Sequence, residues 1–194
     1  MNKIIVFYGY KGCGKDTSFS ILKKLSPKPF MKLSFAEKLR NIVWELFQDR
    51  IIKKERIWGT IEEKEAPIEG WVIPIQYGFP ETYWSGRRLL QWFGTEICRT
   101  NHNEIWVNAL IKEIHQNILA KNICITDCRF MNEYEALKKL KYKTEFIYII
   151  KNNVGENAFS SHASEQDIKL FKPDHIINND GTIKELEDKI EEII

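Results

Sequence analysis

Gly9-Tyr10-Lys11-Gly12-Cys13-Gly14-Lys15-Asp16-Thr17 decides the reading of this chain. The apolar run Ile4-Ile5-Val6-Phe7-Tyr8 precedes it and reads as a buried strand. Phe19, Ile21, Leu22 and Leu25 follow it at helical spacing. Strand, glycine-rich turn and helix in that order is the context of a phosphate-binding loop. Glycines let the backbone curl with its N–H groups pointing inward, and the new helix adds the positive end of its dipole. Lys11, Gly12, Cys13, Gly14, Lys15, Asp16 and Thr17 are therefore expected to hold a nucleoside triphosphate. Lys15 supplies a point charge to the β/γ-phosphates, and Thr17 suits the α-phosphate.

Asp16 departs from the usual loop, which has Ser or Thr after the lysine to contact Mg²⁺. A carboxylate is also a good Mg²⁺ ligand, directly or through water. It places negative charge beside phosphates, so the reading requires the metal to screen it.

Working outward, short solid apolar runs alternate with helical patterns. Strands are expected at Phe30–Leu33, Asn122–Thr126, Glu145–Ile150 and His175–Ile177. Helices are expected from Ser34 to about Gln48, with Ser34 and Glu37 as a capping box, and over Arg87–Arg99, Ile105–Leu119, Asn132–Leu140 and from Ile183. Residues 53–64 could form a short helix, and the rest of 51–86 reads as an ordered aromatic loop. The pattern means an α/β fold with a parallel sheet covered on both faces. Ligands in such sheets bind at the carboxyl ends of the strands, where the phosphate loop, Asp127, the segment after Ile150 and the turn after Ile177 all fall.

At 194 residues the chain fits one domain with a small insertion. A net charge of +2 is too mild to argue for nucleic acid. No apolar stretch is long enough for a membrane, and the first apolar run enters the phosphate loop directly, so neither a membrane span nor a signal peptide is expected. Cys13, Cys98, Cys124 and Cys128 form no C-x-x-C pair and read as free thiols of a cytoplasmic protein.

Two further clusters could carry chemistry. Asp127, at the end of a strand, could hold the Mg²⁺ water shell, and Arg129 could screen charge on a transferring phosphoryl group; an ordinary surface pair is the alternative. In Ser85–Glu96, Arg87 and Gln91 share a helix face, and Arg88, Gln91 and Thr95 line one side. Their guanidinium and amide groups suit a phosphate or a base edge, against a plain solvated face. Trp92 could stack on a base or belong to the core. Lys38 and Arg40 could reach an acceptor phosphate or be surface charges. Asn179 and Gly181 could hold an adenine ring or form a simple turn, and His162 could donate to a phosphate. His102, His115 and His175 show no metal-ligand pattern.

Five segments in order resemble the phage-type deoxynucleoside monophosphate kinases, a branch of the P-loop kinases. They are the loop ending Gly14-Lys15-Asp16-Thr17; Ser34-Phe35-Ala36-Glu37-Lys38-Leu39-Arg40; Arg87–Glu96 with Arg99; Asp127-Cys128-Arg129-Phe130-Met131-Asn132-Glu133; and His162-Ala163-Ser164-Glu165. Gly86 and Met131 stand where that family commonly has proline. The resemblance implies a three-layer P-loop kinase fold and ATP- and Mg²⁺-dependent phosphorylation of deoxynucleoside monophosphates for DNA synthesis, in host cytoplasm if viral. It implies a monophosphate-binding helical insertion over 35–110 and a lid over 151–165. Lys15, Asp127, Arg129 and Arg87 become the catalytic set, and Asp16 and Asp127 the metal residues. Ser34, Phe35, Lys38, Arg40, Arg87, Arg88, Gln91, Trp92, Arg99, Arg129 and Glu133 become monophosphate-binding residues. The lid holds no arginine, which leaves Lys151 and His162 as its candidates. A homodimer is open, since the aromatic insertion could cover a subunit interface. Two rivals remain: another small-molecule kinase with a similar loop, such as phosphomevalonate kinase, and a nucleotide-sensing protein that transfers no phosphate.

Overall fold

The structure is a computed structural model and describes residues 2–72, 83–152 and 167–193. The chain divides into two compact units, one of residues 1–35 and 107–194, the other of residues 36–106.

The first unit is a five-stranded parallel sheet flanked by helices, the α/β architecture of a P-loop kinase. Its strands are β1 (Lys3–Tyr8), β2 (Phe30–Leu33), β5 (Asn122–Ile125), β6 (Lys143–Ile150) and β7 (His175–Asn178), in the spatial order β2-β5-β1-β6-β7. Central β1 pairs in parallel with β5 on one side and β6 on the other. The order of connection reverses beside β1, so its carboxyl end opens at a topological switch point. Successive β1 side chains point to opposite faces. Ile5 and Phe7 pack against α1 (Lys15–Leu25) and α8 (Ile183–Glu191) through Ile21, Leu22, Leu186 and Ile190. Ile4, Val6 and Tyr8 pack with Val107, Leu110 and Ile114 of α6 (Ile105–Asn117), with Ile118 just beyond it, and with Tyr134 and Leu137 of α7 (Met131–Lys138). Both faces are covered, which is why the strands read as unbroken apolar runs.

The second unit contains most of α2 (Phe35–Ile51), then α3 (Glu55–Trp58), α4 (Ile61–Glu65), β3 (Pro67–Val72), β4 (Tyr83–Ser85) and α5 (Gly86–Gln91). Its core is Val43, Ile51, Ile57, Ile68, Trp84 and Leu89, with further aromatic rings packed around them. The charged stretch forms two short helices where one was expected. Gly59 ends the first, and Thr60 with Glu63 makes a capping box that starts the second. The aromatic segment expected as loop contains an antiparallel pair, with Pro67 opposite Ser85 and Val72 opposite Tyr83. The helix expected over Arg87–Arg99 is α-helical only to Gln91; Trp92–Arg99 is a π-helix. The spacing that aligned Arg88, Gln91 and Thr95 therefore widens after Gln91. Within this unit Gly94 lies against the Leu39 side chain, where a Cβ would collide, and its carbonyl accepts the Trp106 indole N–H at 3.0 Å.

Candidate functional site

The loop after β1 turns on glycines in backbone conformations that side chains resist. Gly9 has φ 145° and Gly14 has φ 106°. A Cβ on Gly9 would meet the Ile149 carbonyl, and one on Gly14 would meet the Asn179 amide. Asn179 follows β7 and donates from Nδ2 to the Cys13 carbonyl at 2.8 Å, while its own N–H donates to Ile150 O at 2.7 Å. The residue read from sequence as an adenine candidate thus braces the loop from the neighbouring strand. Gly181 lies against the carboxylate of Glu185, which closes the capping box of Thr182 at the start of α8.

Lys15 opens α1 and folds back over the loop. Its ammonium donates to Gly9 O and Tyr10 O, both at 2.8 Å, and lies 3.5 Å from Cys13 Sγ. Burial pushes its pKa below the ordinary lysine value; the Cys13 sulfur opposes the shift and the Arg129 guanidinium adds to it. The lysine is a desolvated cation held by neutral carbonyls, and an anion in the loop would be a better partner than either.

Asp16 is exposed, and a lysine satisfies it. Lys32 Nζ lies 2.5 Å from Asp16 Oδ1, and Thr126 Oγ1 donates to the same oxygen at 3.1 Å. Partial burial pushes the carboxyl pKa up, but Lys32 and Thr126 outweigh it, so the net shift is downward. An exposed pair of this kind contributes at most about 1 kcal/mol. Sequence reasoning assigned the screening of Asp16 to a metal ion; the chain itself supplies a cation and a hydroxyl. It missed both Lys32 and Thr126. The available signal was the carboxylate itself, which needs donors from the carboxyl ends of adjacent strands, and β2 and β5 provide them.

Asp127 lies one residue beyond Thr126. Its Oδ2 accepts the Ser34 hydroxyl at 2.6 Å and its Oδ1 accepts the Phe35 N–H at 3.1 Å, so it serves the first turn of α2. The expected Ser34–Glu37 box is replaced. The Ser34 hydroxyl donates to Asp127, and the Glu37 carboxylate receives Arg40 at 3.1 Å and the Trp58 indole at 3.2 Å. Glu133, 1% exposed, accepts the backbone N–H groups of Arg129 at 2.8 Å and Phe130 at 3.2 Å. It fixes the turn that carries Arg129.

In the second unit the candidate cations also meet protein partners. Arg87 Nε is 3.0 Å from Glu65 Oε1, close enough for an ion pair but not aligned as a hydrogen bond. Arg88 Nη1 donates to Tyr83 O at 3.3 Å, and its backbone N–H meets the Ser85 hydroxyl that caps α5. Gln91 ends α5, and half-buried Arg99 ends the π-helix. Trp92 packs edge-on against Trp84 at 5.3 Å within the aromatic cluster. Lys38 is exposed on α2, and Lys151 is exposed after β6. His162 and the rest of its block lie outside the described residues.

Among the described residues no cluster of three or more His, Cys, Asp or Glu is placed to hold a metal ion, and no helix is long and apolar enough to cross a membrane.

A family model described as deoxynucleotide monophosphate kinase matches residues 76–190, more than half of the chain. The chain is 29% identical over 208 residues to a protein of Acanthamoeba polyphaga mimivirus named "Putative deoxynucleotide monophosphate kinase", across 96% of this chain and 93% of that one. It is 25% identical over 114 residues to a protein of Escherichia phage RB69 named "Deoxynucleotide monophosphate kinase", across 57% of this chain and 45% of the phage protein.

Proposed function

The chain belongs to the deoxynucleotide monophosphate kinase family, and from that premise we propose that it transfers the γ-phosphoryl group of ATP to a deoxynucleoside monophosphate, giving two diphosphates. The observation that carries this reading is the loop between β1 and α1, whose half-buried lysine is held, among the described residues, by two carbonyls and a sulfur. A ligand with several anionic oxygens is the natural replacement for those partners.

In this scheme residues 11–17 and Lys15 hold the β/γ-phosphates, and Asn179 keeps the Cys13 peptide in place beneath them. Arg129, set by Glu133, screens charge on the moving phosphoryl group. Arg87, Arg99 and Arg40 are assigned to orient the acceptor phosphate, and Lys38, Arg88, Gln91, Ser34 and Phe35 to assist in binding it. No general base is required, because the acceptor phosphate is already an anion. Positioning and electrostatics provide most of the rate enhancement.

Asp16 fits Mg²⁺, since its carboxylate is a hard oxygen donor on the loop itself and is 79% exposed. When bound, the ion neutralises charge on the β/γ-oxygens. Asp127 would act through water, since both its oxygens already accept hydrogen bonds. The same reading puts the protein in the cytoplasm, treats residues 35–110 as the monophosphate-binding insertion and 151–165 as the lid, and leaves a homodimer to be measured.

The test is ADP release from ATP with a panel of acceptors. Several deoxynucleoside monophosphates, the matching ribonucleotides and phosphomevalonate are supplied in turn. Turnover with a deoxynucleotide and none with phosphomevalonate is expected. Turnover with the isoprenoid alone, or ATP binding without transfer to any acceptor, would overturn the assignment.

A further inference from the structure

We propose that Lys32 is the built-in counter-ion of the phosphate loop, a positioning residue that neutralises Asp16 until a divalent cation takes its place. The inference rests on the triphosphate reading of the loop given above. Its starting point is a charge conflict. A carboxylate stands next to Lys15, where the usual loop has a neutral hydroxyl. Left bare, it would repel a triphosphate approaching the same backbone turn and would draw Lys15 toward itself.

The contacts resolve the conflict. Asp16 Oδ1 is held by Lys32 Nζ at 2.5 Å and by Thr126 Oγ1 at 3.1 Å, while Lys15 turns away to Gly9 O and Tyr10 O. Lys32 and Thr126 come from β2 and from the end of β5. Those strands are hydrogen-bonded neighbours, with Leu33 opposite Ile125 and Lys32 opposite Cys124. The two donors are thus fixed on adjacent strand ends, and the carboxylate reaches them from the first turn of α1. The roles at this corner are exchanged relative to the ordinary loop: the carboxylate is on the loop, and the hydroxyl is on the neighbouring strand.

The pair is also suited to exchange. The Asp16 side chain is 79% exposed and that of Lys32 is 38% exposed, so water can reach both during separation. A solvated lysine–carboxylate pair is weak, whereas a divalent ion between a carboxylate and phosphate oxygens gains from two sets of negative charge. Lys32 lies over the Phe19 ring, 5.7 Å from its centroid, so the released ammonium has a second partner on α1. The lysine makes metal-free ATP tolerable, and it competes with the metal for one oxygen.

The experiment measures the dissociation constant of ATP by calorimetry, once with EDTA and once with excess Mg²⁺, for the full chain and four variants. In Lys32→Met, ATP binding with EDTA should weaken about tenfold while binding with Mg²⁺ stays within about twofold, so the Mg²⁺ dependence rises about tenfold. Asp16→Asn should lower that dependence below wild type. The double variant Asp16→Asn, Lys32→Met should lose less ATP affinity with EDTA than Lys32→Met alone, and Lys32→Arg should restore the wild-type dependence. Circular dichroism checks the fold of each.

Equal weakening of Lys32→Met in both conditions would make Lys32 a direct phosphate ligand and overturn the proposal. An unchanged Mg²⁺ dependence would overturn it as well. No ATP binding by the wild type would overturn the triphosphate reading together with this one. Normal ATP behaviour without phosphoryl transfer would remove the kinase assignment and leave the role of Lys32 standing.

Discussion

The parallel-sheet unit and the 36–106 unit both hold their charged groups against protein partners, but with opposite polarity. In the first, the exposed loop carboxylate of Asp16 is satisfied by a lysine, and the loop lysine by carbonyls. In the second, Arg40 is held by Glu37 and Arg87 stands beside Glu65. The difference teaches that phosphate binding here is an exchange of partners. On the proposed function, a triphosphate would displace neutral carbonyls from Lys15, whereas a monophosphate would compete with carboxylates for Arg40 and Arg87. The gain per contact is therefore larger at the loop.

The most severe way to break the comparison is Lys15→Ala. It should reduce kcat/KM by at least about a thousandfold, with circular dichroism and thermal unfolding near wild type. Activity within tenfold of wild type would mean that the loop lysine is no more important than the insertion cations. Leu89→Ala tests whether the second unit depends on its own core. Leu89 is fully buried there, so the variant should lose about 2–5 kcal/mol in denaturant unfolding. The affinity for ATP should stay near wild type, because the loop belongs to the other unit.

Arg87→Ala should raise the KM of the acceptor about ten- to hundredfold and that of ATP by less than twofold. Glu65→Gln sharpens the point, since it removes the competing carboxylate and keeps the arginine. It should lower the acceptor KM by about two- to threefold. A rise would show that Glu65 positions Arg87 rather than competing for it.

The loop lysine also predicts a pH dependence. Burial holds Lys15 below the ordinary lysine value, and a bound triphosphate would raise it. Between the two values binding takes up a proton, so ATP affinity falls as pH rises through that window. The slope approaches about one decade per pH unit. Affinity that stays flat up to pH 10.5, the ordinary lysine value, would show that the ammonium is not desolvated.

What the sequence made legible follows the same division. The strand–loop–helix of residues 3–25 is local, and Ile4–Tyr8 and Gly9–Thr17 announce it directly. The β3–β4 pair was hidden because Pro67 meets Ser85 across the chain and neither segment shows clean alternation. The split between α3 and α4 was readable from Gly59-Thr60 followed by Glu63, which is a stop followed by a capping box. In the site, Lys15 and Asp16 stand out through their spacing. Lys32 and Thr126 do not, since they lie 16 and 110 residues from Asp16 and meet it only through the pairing of β2 with β5. Glu133 was marked by resemblance, but its inward turn onto the backbone of Arg129 and Phe130 depends on burial that no single segment reveals.

The wide turns of Trp92–Arg99 make chain length the fragile variable in that stretch. Each residue of an α-helix advances the azimuth by about 100°. Removing one residue there without a compensating change of winding would swing Arg99 by a large part of a quarter turn, with the same side chains still present. Variants that shorten this stretch should therefore be less tolerated than variants that replace its exposed side chains.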